Sequence, residues 1–191
     1  DGNHRILFCF QNDKDVGDYD TPEVSPGPVL SFGLHLDSFG YEELDMPLDG
    51  KEGRPALGEL TNGKMHHVVA TYDSFTGKKS IFLNGKSVFG HGYPVGTLIL
   101  SGGPSEAIIG NILKAEPFAG VIDELALYPF ALSAGEISLH ANRALDGLPY
   151  FETKDNRVAY AQWVPIKSYP TGWTLSFNRL TGKLLDSNFV P

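Results

Sequence analysis

Glu43 and Asp45, two residues apart in Glu43-Leu-Asp45-Met-Pro-Leu48, are the first pair in this 191-residue chain whose spacing suggests chemistry. On an extended strand a period of two sets both carboxylates on one side, the arrangement that paired-carboxylate chemistry starts from. A second acidic run, Asp13-x-Asp15-x-x-Asp18-x-Asp20, is dense in hard oxygen ligands of the kind calcium takes. Its glycine and terminal glutamate are misplaced for an EF-hand loop, and a solvated connection is the alternative reading. Asp123 is a third candidate. Alternation from Phe118 to Tyr128 predicts a strand that sets Asp123 on one face with Val121, Leu125 and Leu127. A carboxylate among apolar side chains needs hydrogen-bond donors or a cation. His66 and His67 are adjacent, so on a strand they face opposite sides and cannot chelate one ion. His35, His91 and His140 have no Cys or His partner at ligand spacing, and no Gly-rich phosphate loop is present.

Short strands and tight turns must position these groups. Glycine (22), proline (13) and 12% aromatics suit many strands joined by turns and argue against disorder. Arg5 to Phe10 reads as a first strand, residues 11–28 as a long loop, and Val29 to Leu36 as a second strand. Phe39 to Glu59 reads as irregular. Strands follow at His66–Tyr72 and Ser80–Leu83, and Asn84-Gly85 turns the chain tightly into Lys86–Phe89. Thr97–Leu100 and Ala107–Ile109 are predicted as short strands. Ser133 and Glu136 form a capping-box signature for a helix ending near Asn142 to Ala144.

The net charge of −8 makes nucleic acid an unfavourable partner. The single cysteine, Cys9, excludes an internal disulfide and reads as a small buried hydrophobe. No apolar run approaches the ~20 residues that span a membrane, and no signal peptide is visible.

Five stretches in order resemble the successive motifs of laminin-G-like domains of the concanavalin A-like lectin/glucanase superfold. They are Lys64-Met-His-His-Val-Val-Ala-Thr-Tyr-Asp73, Ser80-Ile-Phe-Leu-Asn-Gly-Lys86, Ile108-Ile-Gly-Asn111, Phe118 to Tyr128, and Ala131-Leu-Ser-Ala-Gly-Glu-Ile137. The resemblance implies an all-β, two-sheet antiparallel jelly-roll sandwich with one short helix, in an extracytoplasmic setting. Retaining glucanases of this superfold carry Glu-x-Asp-x-x-Glu on one strand. Here the third position is Leu48, and Pro47 would disrupt a central strand, so a glycoside hydrolase lacks its acid. In related domains a strand aspartate placed like Asp123 can help hold a structural calcium, which makes Asp123 and the Asp13–Asp20 loop the metal candidates.

The family also places a tryptophan-bearing strand and an earlier edge strand ahead of the segment equivalent to Arg5–Phe10, and neither is present. The laminin-G-like domain is therefore assigned to residues 1–145, with a C-terminal extension at 146–191 packed on the sandwich or completing it. Within the extension, Val158–Val164 and Gly172–Phe177 read as strands, and one of them could occupy the vacant sheet position. Tyr41, Tyr93, Tyr150, Trp163 and Tyr169 are the candidate contacts for a glycan or a protein, since such rings serve both. Trp173 is assigned to packing. The expected function is non-catalytic recognition or scaffolding through protein–protein contacts, with a calcium-dependent lectin as the alternative.

Overall fold

Alternating side chains and left-handed turn residues assemble two antiparallel sheets. The computed structural model describes residues 6–13, 21–100, 109–112, 116–148, 173–177 and 184–189. In chain order its elements are β1 (Ile6–Asp13), β2 (Gly27–Leu36), β3 (Gly40–Pro47), a one-turn helix α1 (Leu57–Leu60), β4 (Val68–Asp73), β5 (Lys78–Leu83) and β6 (Lys86–Gly92). Then follow β7 (Asn111–Ile112), β8 (Glu116–Pro117), α2 (Ala134–Leu145), β9 (Trp173–Phe177) and β10 (Leu184–Phe189). The first sheet runs β1-β2-β3 and the second β4-β5-β6, while β7-β8 and β9-β10 are separate two-stranded pairs.

The period of two decides which face of each sheet is apolar. On β2, Leu30, Phe32, Leu34 and Leu36 face inward, and on β3 Leu44 and Met46 join them. They meet Ile81 of β5, with Val68 and Ala70 of β4 and Phe89 of β6 packed alongside. The core thus lies between the two sheets, as in a sandwich. The other face of the second sheet carries Phe82 and Val69, which pack on Leu132 and on Ile137 of α2. Ser133 caps that helix as its sequence predicts, with Ser133 Oγ accepting from Glu136 N and Glu136 Oε2 accepting from Ser133 N. Asn84 (φ +48°) and Gly85 (φ +82°) make the expected tight turn between β5 and β6.

Several boundaries differ from the sequence reading. β1 continues to Asp13, because Gln11 to Asp13 pair with Val29 to Gly27. The segment after Phe39 is not irregular. Ser38 (φ +67°) and Gly40 (φ +87°) turn the chain back on itself, and β3 then pairs with β2 from Gly40 to Pro47. Thr97–Leu100 is not a strand. It attaches to the end of β2 through one bridge, Leu36 to Ile99, and two backbone hydrogen bonds, Asp37 N to Leu98 O and Leu100 N to His35 O, both 2.9 Å. The largest departure is Phe118–Tyr128, which is irregular beyond the glycine corner and pairs with no strand among the described residues. Glu124 at φ +52° breaks the extended conformation there. The Ala107–Ile109 strand falls mostly, and Val158–Val164 wholly, outside the described residues.

Candidate recognition surface

The Glu43–Asp45 pair does share one side of β3, the side facing away from the intersheet core. Tyr41 joins it two residues earlier and donates its phenol proton to Glu43 Oε1 at 2.7 Å. Gln11 Nε2 of β1 donates to Glu43 Oε2 at 3.3 Å, so both carboxylate oxygens are engaged. Burial, reinforced by the Glu43 carboxylate, holds the Tyr41 phenol well above its ordinary pKa. The ring crosses Gly33 of β2 so closely that a Cβ there would overlap the phenol oxygen. Asp45 sits opposite Ser31 in the β2–β3 register, and both are fully buried. Leu48, the position a third carboxylate would need, is a core residue. Tyr41 and Tyr93, expected as surface contacts, are each only 7% exposed and belong to the packed structure.

A buried lysine lies on the core side of the same strands. Register puts Lys79 of β5 between Tyr72 of β4 and His91 of β6, all on the inward face. Lys79 Nζ donates to the Glu42 carbonyl at 2.8 Å and lies 5.2 Å from the centroid of the Phe32 ring. Burial lowers its pKa to about 8, against the attraction of Glu42, Asp45 and Glu43. Tyr93 packs edge-on against His91 and Tyr72 at this end of the core. Sequence reasoning missed Lys79, although extending the Ile81 alternation back by two residues points to it.

Of the metal candidates, Asp123 has a described side-chain environment. Asp123 is exposed, and its Oδ1 accepts from the neighbouring Glu124 N at 2.9 Å. The expected strand placement beside Val121, Leu125 and Leu127 is corrected, because among the described residues the segment pairs with no strand that would fix its alternation. Asp13 ends β1 opposite Gly27, and Asp15, Asp18 and Asp20 lie outside the described residues. Among the described residues no three His, Cys, Asp or Glu side chains converge in a metal-binding group. Tyr150, Trp163 and Tyr169 also lie outside the described residues.

An unanticipated feature is the open flank of the core. The inward residues of β2 are at most 7% exposed, whereas Ile6, Phe8 and Phe10 of β1, on the same face of the sheet, are 44–63% exposed. The second sheet therefore stops short of β1. Phe10 stacks on Phe118, with ring centroids 6.2 Å apart. Phe118 N donates to Gly110 O, and Ile122 Cδ1 lies against Gly110. The apolar strip thus runs from β1 through Phe118 to Ile122 and continues along the chain to Val121, Leu125 and Leu127, which are 58–80% exposed. Scattered exposed apolar residues are ordinary on a monomer, but a contiguous strip is not. The sequence signal for it was the alternating pattern itself, read there as a paired strand.

A laminin G family model, described as belonging to the concanavalin A-like lectin/glucanases superfamily, matches residues 17–138. The chain belongs to that family. No curated protein and no solved structure matches it. The two three-stranded antiparallel sheets and the short helix α2 agree with such a sandwich. Among the described residues no helix is long and apolar enough to cross a membrane.

Proposed function

We propose that this chain is a non-catalytic recognition and scaffold domain, built on a jelly-roll sandwich and working outside the cytoplasm. It binds protein, and it serves as a structural subunit of a larger, membrane-associated assembly. The observation that carries this reading is the exposed apolar strip from Ile6, Phe8 and Phe10 through Phe118 to Leu127. An apolar flank beside a sheet edge that is unpaired among the described residues suits a protein segment, which can bury the side chains and satisfy the edge together. A sugar would find few hydrogen-bond partners there.

A calcium-dependent glycan-binding role is the second reading. It is favoured by the polar side of the first sheet, where Gln11, Tyr41 and Glu43 form one hydrogen-bonded row. The row is already satisfied internally and Tyr41 is buried, which weakens its claim as a sugar platform. Gentle isolation of the native chain, beside a glycan array with and without calcium, separates the two. Protein binding predicts a fixed protein partner and no glycan signal. A calcium-dependent glycan signal from a chain isolated alone would replace it.

A further inference from the structure

We infer that the C-terminal hairpin of this chain, β9–β10, docks on the open apolar strip and occupies it until a protein partner displaces it. This inference rests on the protein-binding reading and adds a regulator to the same surface. β9 and β10 pair with each other, Trp173 opposite Phe189 and Leu175 opposite Ser187, and with no other strand among those described. A lone two-stranded hairpin is marginally stable in water at best and needs an apolar surface against it. In sequence, Trp173, Leu175 and Phe177 alternate with Thr174 and Ser176, the period-two pattern of a segment that seeks an apolar surface. The sandwich carries an exposed apolar strip, with Phe10 of β1 stacked on Phe118, on the flank where the second sheet fails to cover β1.

Reach and charge agree with this pairing. Residues 149–172 connect Leu148 to Trp173, a length that extends up to about 80 Å, so no part of a domain this size is out of range. Residues 149–191 carry five Lys or Arg against three Asp or Glu, whereas residues 1–148 carry ten against twenty. A net basic tail is thus tethered to a strongly acidic body, which holds the hairpin near the sandwich and makes its docking salt-sensitive. The strip's own flank carries Asp123 and Glu124, both exposed.

Hydrogen exchange on the full chain, followed by mass spectrometry, tests the docking through its reciprocity. Trp173→Asp with Leu175→Asp should speed exchange in β1 and residues 118–127 by about tenfold or more, while β5 stays protected. In return, Phe10→Asp should speed exchange in β9 and β10. Raised salt should move the wild type in the same direction as either variant. Unchanged exchange of the strip in the hairpin variant, with β5 intact, would overturn the docking and leave the partner reading standing. Protection that depends on protein concentration, with a dimer by light scattering, would overturn docking within one chain in favour of a second copy. If β5 itself loses protection in the variants, salt dependence decides: a wild-type strip whose exchange ignores salt overturns the inference.

Discussion

Lys79 makes this protein more stable as the solution becomes alkaline. Its ammonium is fully buried between the sheets, with the Glu42 carbonyl as its acceptor, and burial lowers its pKa from 10.5 to about 8. Between those values the unfolded chain binds the proton and the folded chain does not, so stability rises with pH across that window. Below pH 8 both states are protonated and the cost of burying the charge is present in full. From pH 7.5 to 9.5 the expected gain is about 2 kcal/mol. Tyr41, Tyr72 and Tyr93 act in the opposite sense, since burial raises their pKa values and their contribution is lost as pH rises through 10. Burial lowers His67 and His91 below the ordinary histidine range, so both stay neutral throughout. Urea unfolding at several pH values, for wild type and Lys79→Met, isolates the effect. The wild-type curve should rise while the Lys79→Met curve stays flat or falls slightly. Lys79→Met also leaves the Glu42 carbonyl without its donor, a cost of about 1–3 kcal/mol that shifts its curve without tilting it. Parallel curves for the two proteins would refute the burial argument.

Gly85→Ala should destabilise by about 1–3 kcal/mol in thermal or urea melts. The residue sits at φ +82°, and a Cβ there would lie 3.0 Å from Ser138 Cα and 3.1 Å from Ala141 Cβ on α2. Ser133→Ala removes the side-chain half of the capping box and should cost about 1 kcal/mol, read as a lower urea midpoint at unchanged slope. If millimolar calcium raises the melting temperature, Asp123→Asn should leave that rise intact, because among the described residues no group of three His, Cys, Asp or Glu side chains forms around it. A rise abolished by Asp123→Asn would restore the strand-aspartate site.

Much of the sandwich was legible because its strands alternate cleanly. Leu30, Phe32, Leu34 and Leu36 announce the inward face of β2, and Ser133 with Glu136 announces α2. β3 was hidden by its own polar side: Tyr41, Glu43 and Asp45 face away from the core, and Pro47 marks the end of the strand instead of denying it. Phe118–Tyr128 misled in the opposite direction. Alternation describes a strand that has a neighbour, and backbone N–H and C=O groups without a ladder do not hold an extended chain. Sequence pattern is local, whereas the missing neighbour is a property of the whole sheet. Tyr41 and Tyr93 failed as surface candidates for a related reason. Gly33 opens space for one ring, and the end of the intersheet core takes the other, neither of which their flanking residues reveal. The open strip beside β1 became visible only as unequal exposure along one face of one sheet.

The most direct measurement is the mass and composition of the native particle that carries this chain, isolated gently, for wild type and for a Phe10→Asp, Leu127→Asp variant that keeps the wild-type melting temperature. The protein-binding account predicts a wild-type particle with a protein partner in fixed ratio, and a variant recovered without it. A wild-type chain recovered alone, or a partner retained equally by the variant, would contradict it.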